Sequence, residues 1–181
     1  MKSLIAAASA LALVAVAAPA FAQSSPFGPV TPYVNLGYSY ADTTLNNFGA
    51  NPGFNVVDGR LGAKLGRYFG AEGELAFGLN TTNQGGVGYK VRDTYAGYAV
   101  AFLPIMPHAD LFARIGYGHD NLRANVNGQS FTTGTDTVNY GAGGEYFVTP
   151  HDGVRVDYTR DDFRDNNGHA NVWGVAYVHK F

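Results

Sequence analysis

Not one cysteine occurs among the 181 residues, so no disulfide framework holds the fold together. Charge is sparse as well. Only 14% of the chain is Asp, Glu, Lys or Arg, and the formal net charge is -2, which offers no electrostatic basis for binding nucleic acid. No window keeps a helical period. Beyond the first 22 residues no run of 18 consecutive apolar residues occurs, so a second membrane helix is excluded.

What is present begins with "MKSLIAAASALALVAVAAPAFA". A basic start at Lys2, an apolar stretch from Leu4 to Ala18 and the small-residue pattern Ala20-Phe21-Ala22 have the form of a secretory signal peptide cleaved before Gln23. The alternative, a transmembrane anchor, wants ~20 apolar residues, and this run falls short. The expected organisation is a signal peptide over 1–22 and one exported domain over 23–181. Without Lys2 that domain carries 11 Lys and Arg against 14 Asp and Glu.

The exported part is rich in Gly, Tyr and Phe and reads as all-β. Period-two runs bounded by Gly, Pro, Asn and Asp predict eight strands: Thr31–Ala41, Asn55–Leu65, Ala71–Asn80, Lys90–Phe102, Asp110–His119, Thr137–Phe147, Gly153–Arg160 and Asn171–Phe181. Most have the 9 to 11 residues, roughly, of a tilted strand crossing a bilayer, and eight is the smallest usual strand number for a membrane barrel. The connectors alternate. "GRYFG", "LPIMPHA" and "VTPHD" are short, whereas "DTTLNNFGANPGF", "TTNQGGVGY", "DNLRANVNGQSFTTGTD" and "DDFRDNNGHA" are long and polar. Short turns at one rim and long loops at the other match the asymmetry of an outer-membrane barrel.

Charges decide which face is wet. In strand after strand they fall on the parity opposite the large apolar residues: Asp58, Arg60 and Lys64 against Val57, Leu61 and Leu65; Glu72 and Glu74 against Leu75 and Phe77. The same holds for Arg114 against Leu111 and Ile115, Glu145 against Tyr140 and Tyr146, Arg155 and Asp157 against Val154 and Val156, and Lys180 against Tyr177 and Phe181. Five acids balance five bases. Such a set cannot be the core of a soluble barrel without a large desolvation cost, but it can fill a membrane barrel whose apolar face meets lipid. The expected fold is therefore an eight-stranded antiparallel up-and-down transmembrane β-barrel with these ten side chains as an interior polar network. Tyr33, Tyr38, Tyr40, Tyr68, Phe69, Tyr117, Tyr146, Tyr158 and Trp173 cluster near predicted strand ends, where headgroup-level aromatics are favoured.

Catalytic and metal motifs do not form. Outside the N-terminal tail the only serines are Ser39 and Ser130, neither near a His in sequence, and His119 and His169 fall on strands that are not neighbours, so an acyl-transfer site is not expected. "DDFRDNNGH" has oxygen ligands in Asp161, Asp162, Asp165 and Asn167 but not the calcium-loop spacing. "GAGGEY" and "GYGHDN" lack the strand-to-helix context of a phosphate loop; glycines in these strands relieve crowding in a narrow barrel. No cofactor is expected.

With "TPYVNLGYSY" as first strand, "LFARIGYG" as fifth, "YGAGGEYFVT" as sixth, "GVRVDYTR" as seventh and Phe181 last, the chain resembles the small eight-stranded outer-membrane barrels of Gram-negative bacteria. That group includes opacity-type surface antigens, adhesion and invasion barrels and the OmpA membrane domain. The resemblance implies a location in the outer membrane, lipid as surroundings, and a C-terminal signal, here Phe181 with Tyr177, read by the barrel-assembly machinery. Where the family usually has a large apolar residue two before the terminal Phe, this chain has His179. By elimination the expected role is non-enzymatic and envelope-structural, with surface or host contact through four loops carrying Leu45, Phe48, Phe131 and Phe163. Two alternatives stay open: a narrow porin-like pore, and a soluble secreted barrel binding a small apolar ligand.

Overall fold

The computed structural model describes residues 28–46, 51–84, 87–126, 129–164 and 168–181. The expected signal peptide, Phe48, Asp165 and Asn167 lie outside the described residues. Among the described residues, nine strands form one antiparallel sheet: β1 Val30–Leu45, β2 Gly53–Leu65, β3 Phe69–Gly78, β4 Thr82–Gln84, β5 Val87–Met106, β6 Ala109–Val126, β7 Gln129–Phe147, β8 Asp152–Phe163 and β9 Gly168–Lys180. Their order is β3-β2-β1-β9-β8-β7-β6-β5, and β3 also pairs with β5, which closes the sheet. The three-residue β4 pairs only with β5 and continues the β3 side of the wall beyond a break, so the barrel is eight-stranded. Among the described residues, closure leaves no unpaired edge in the membrane-spanning part of the wall, the condition for spanning lipid with strands.

Side-chain period dictates the two faces. Leu36, Tyr38 and Tyr40 of β1 point out while Asn35, Gly37 and Ser39 point in, and β9 presents Trp173, Val175 and Tyr177 outward with Ala176 and Val178 inward. The opposite extremes in β9 are Trp173 at 61% exposure and Val178 at 0%. Apolar residues such as Leu75, Leu103, Leu111, Ile115 and Val156 make the rest of the outer surface. Tyr40, Tyr95, Tyr117, Tyr140 and Trp173 ring its loop-side limit, and Tyr68, Phe69, Tyr146, Tyr177 and Phe181 its turn-side limit. Along β9 the two rings are eight residues apart, from Trp173 to Phe181. At ~3.3 Å per residue and a tilt of about 40° this is roughly 20 Å, near the thickness of the apolar band of such barrels.

Most strands run further than the sequence pattern predicts, chiefly at the loop end, although β5 also gains Leu103–Met106 at the turn end and β3 is displaced, running from Phe69 to Gly78. "DNLRANVNGQSFTTGTD" is not a loop: β6 and β7 stay paired as far as Val126 and Gln129. Its polar residues fit a wall standing in water, where both faces are wet and apolar alternation fades. Leu45 and Phe163, expected as loop anchors, point into the lumen instead. Two irregularities interrupt the pairing of β5 with β6, at Val91/Asp93 and at Pro104/Met106; the first inserts Arg92 and resets the parity, so that both Val91 and Thr94 face inward. Tyr33 departs from expectation too. It is buried inside at 3% exposure rather than lying at the lipid surface. Its ring is accommodated by Gly62, where an added Cβ would come 2.2 Å from the Tyr33 Cζ.

Candidate functional site in the barrel interior

Three tiers fill the lumen. At mid-height stands the charged one, built from inward positions of β2, β3, β6 and β8, with Tyr33 and Ser39 of β1. Arg155 of β8 reaches across to Glu72 of β3, diametrically opposite in the barrel, with contacts of 2.5 Å and 3.2 Å. Glu72 also accepts a bond of 2.7 Å from the Tyr33 hydroxyl. Arg60 of β2 donates to Asp157 of β8 at 2.6 Å and to Glu74 of β3 at 2.7 Å. Arg114 of β6 closes the same cluster, meeting Glu74 at 2.9 Å and Asp157 at 3.4 Å. Asp58 lies 3.4 Å from Arg60 and accepts 2.7 Å from the Ser39 hydroxyl, so this serine is committed to the network. Arg60 and Arg155 are among the largest fully buried side chains. A buried guanidinium is tolerated when its donors meet partners, and carboxylates from opposite walls supply most of them here, while Arg155 Nε lies 3.5 Å from Asp157 without a hydrogen bond.

Toward the turn side, Lys64 of β2 meets Asp110 of β6 at 2.5 Å and Glu145 of β7 at 3.7 Å. Lys180 lies apart, its ammonium 3.1 Å from the centre of the Phe147 ring. An aromatic tier of Tyr33, Tyr98, Val100, Phe102 and Phe112 packs among these bases. The Arg155 guanidinium stands 3.7 Å over the Phe112 ring, Lys64 4.1 Å over Phe102 and Arg114 4.4 Å over Tyr98, so rings carry part of the cationic neighbourhood.

The third tier, at the loop end, is apolar: Ala41, Leu45, Phe54, Val56, Ala76 and Tyr89, with Val91, Leu122 and Phe163 against them. It surrounds a cavity of about 320 Å3 whose floor is Asp58, Arg60, Glu74, Asp120 and Asp161. Asp120 and Asp161 follow His119 and Arg160, the register partners of the ring aromatics Tyr95 and Tyr140, and so stand on the loop side of the ring, outside the membrane-spanning part. Burial pushes the Asp120 carboxyl up to about 6, and burial with the facing charges of Asp120 and Glu74 pushes Asp161 well above the carboxylate range.

Interior residues that sequence reading passed over are Asp110, Asp120 and Asp161. All three obey the parity of Arg114 or Asp157 on their own strands. Asp120 and Asp161 fell one position beyond the predicted strand ends. At the opposite rim, His179 Nδ1 lies 2.8 Å from Asp152 Oδ1, and the Tyr177 hydroxyl donates to the same oxygen. The last strand is thereby tied to the β7–β8 turn, and the Phe181 N–H donates to the Pro32 carbonyl of β1 at 3.0 Å.

The family described as outer membrane protein beta-barrel domain matches residues 8–181. No curated protein matches the sequence. Among solved structures, Ail of Yersinia pestis, the attachment invasion locus protein, in complex with the heparin analogue sucrose octasulfate, aligns at TM-score 0.65 and 15% identity, over 84% of this chain and 99% of that one. Neisserial surface protein A aligns at 0.67 and 11%, over 83% and 97%. The N-terminal β-barrel domain of Pseudomonas aeruginosa OprF aligns at 0.56 and 12%, over 81% and 96%. At these identities the likeness carries the fold alone.

Proposed function

The chain belongs to the outer membrane protein beta-barrel domain family, and from that premise we propose that it is a non-enzymatic envelope barrel with a plugged lumen, whose wall extends into water to contact surfaces. It lies in the Gram-negative outer membrane, and the part over 23–181 forms the barrel once the segment over 1–22 is removed. The observation that carries the reading is the cross-lumen network. The Arg155–Glu72 and Arg60–Asp157 contacts bridge opposite walls of a barrel whose interior is only wide enough for side chains. Such a plug stabilises the wall and opposes the narrow-pore alternative.

Surface contact is assigned to the β6–β7 hairpin and the other loop-end extensions, since binding resides preferentially on segments held out by a rigid scaffold. Arg92 pairs with Asp93, Arg160 with Asp162 and Arg164 with Asp136, so these three bases are offset locally. The terminal strand ending in Tyr177, His179 and Phe181 serves as the assembly signal.

A deletion strain tests the role. It is expected to become sensitive to detergent and to regain resistance with the full chain, while a chain lacking residues 122–133 restores resistance but not attachment to surfaces. Unchanged detergent resistance together with unchanged attachment in the deletion strain contradicts the proposal.

A further inference from the structure

The loop end of the lumen joins an apolar wall to an acidic floor. Its cavity, about 320 Å3, is walled by Leu45, Phe54, Val56, Tyr89, Leu122 and Phe163 and bottomed by the upper carboxylates of the charged tier. Four acids, Asp58, Glu74, Asp120 and Asp161, line it against the single base Arg60. That base is already shared with Asp157, and Arg114 beneath it is engaged with Glu74 and Asp157. The floor therefore carries carboxylate in excess of guanidinium. Two carboxylate oxygens of the lining are buried without a hydrogen bond, Asp58 Oδ1 and Asp161 Oδ1; Asp58 Oδ1 has Arg60 at 3.4 Å, whereas among the described residues Asp161 has no base within ion-pair distance. A buried acceptor of this kind is costly, and native structures seldom keep one without a reason.

We propose that this cavity is a binding site for a small amphipathic cation, an ammonium group on a short apolar body. The ammonium sits at Asp161 and Asp120, giving the orphan oxygen a donor, and the body lies against Phe54, Leu122 and Phe163. Each alternative class leaves one surface unmatched. An anion meets carboxylates; a neutral apolar molecule leaves Asp161 Oδ1 unsatisfied; a bare metal ion leaves the apolar wall uncovered, and the described residues contain no group of three or more metal-ligating side chains placed to hold one. At ~30 Å3 per water-sized group the volume admits roughly ten nonhydrogen atoms, the low end of the range for small-molecule sites. The charged groups facing the two carboxyls are Asp58 and Arg60 from β2, Glu74 from β3, and Arg114 and His119 from β6. A bound cation displaces the proton that this surplus of acids holds.

The test uses the full barrel in lipid nanodiscs, with empty discs subtracted, and three isosteric probes: n-hexylammonium, n-hexanol and n-hexanoate. Calorimetry is expected to show saturable hexylammonium binding at pH 8 that is at least tenfold tighter than hexanol, no binding of hexanoate, and weaker hexylammonium binding at pH 5. Asp161→Asn, which keeps the volume, lowers hexylammonium affinity tenfold or more, and Ala124→Phe, which fills the cavity, abolishes it. Both variants are first confirmed folded by their mobility shift on heating. Hexylammonium taken up no better than by empty discs, hexanol binding as tightly as the amine, or either folded variant binding as the parent does, overturns the proposal.

Discussion

Removing the Arg155 guanidinium while keeping its apolar volume isolates the mid-lumen network. Arg155 is at 0% exposure and grips Glu72 with two contacts, 2.5 Å and 3.2 Å, and Asp157 with a third at 3.5 Å. In Arg155→Met, Glu72 keeps the Tyr33 hydroxyl and a base at 3.8 Å, Arg114. It is then a buried carboxylate without its main partner, and such a break costs about 3 to 5 kcal/mol. Adding Glu72→Gln removes the orphan charge and leaves an amide that still accepts from Tyr33. Because replacing a whole buried pair is often neutral, the double variant is expected to return to within about 1 kcal/mol of the parent. The second substitution then recovers about 2 to 4 kcal/mol of the loss. The assay is equilibrium unfolding in guanidinium from detergent micelles, read by mobility on an unheated gel and by tyrosine fluorescence. If Arg155→Met costs less than about 1 kcal/mol, or the two substitutions add without coupling, the interior is hydrated enough to screen its charges and the plug reasoning fails.

Three further outcomes are expected. Ile115→Arg puts a charge on the lipid face, next to Arg114 which faces inward, and costs about 2 to 4 kcal/mol in the same unfolding assay; a cost near zero would mean that this face does not meet lipid. Gly62→Ala drives a Cβ to 2.2 Å from the Tyr33 ring and lowers stability by about 1 to 3 kcal/mol, measured by the same denaturation midpoint. Asp152, at the turn-side rim, is held down at about 2 by the Tyr177 hydroxyl, then His179 and Thr149. Its folded value lies below the ordinary one, so its contribution is present above about pH 4 and is lost as pH falls toward 2. The amide signals of His179 and Phe181 should therefore titrate with a midpoint near pH 2, and a midpoint near 3.8 contradicts the contact.

Much of this was legible because one rule, period two, governs every strand. The charges at Arg60, Glu72, Glu74, Arg114, Arg155 and Asp157 each fall on the parity opposite the apolar residues of their own strand, and the structure places them in one cluster. Parity says which side a residue faces but not at what height, so the pairing of Arg155 with Glu72, 83 positions away, could not be read from the chain. The rule also reaches past the predicted strand ends. Asp120 and Asp161 obey it, yet they lie where the outer face turns polar above the aromatic ring, and the alternation that marks a strand in lipid dies away there. Tyr33 was misplaced for a related reason: an aromatic near a strand end suits a headgroup, and only the packing space at Gly62 shows that its ring turns inward. The apolar tier around Phe54 and Leu122 was hidden because its residues share the inward parity with the charges beneath them, so an interior read as uniformly polar is in fact layered.

The central claim is that ion pairs from opposite walls plug this outer-membrane barrel. Planar-bilayer recording of the purified, folded protein tests it most directly. The account predicts no steady conductance for the parent at neutral pH. A large, steady single-channel current from the parent protein would contradict it and make the barrel a pore.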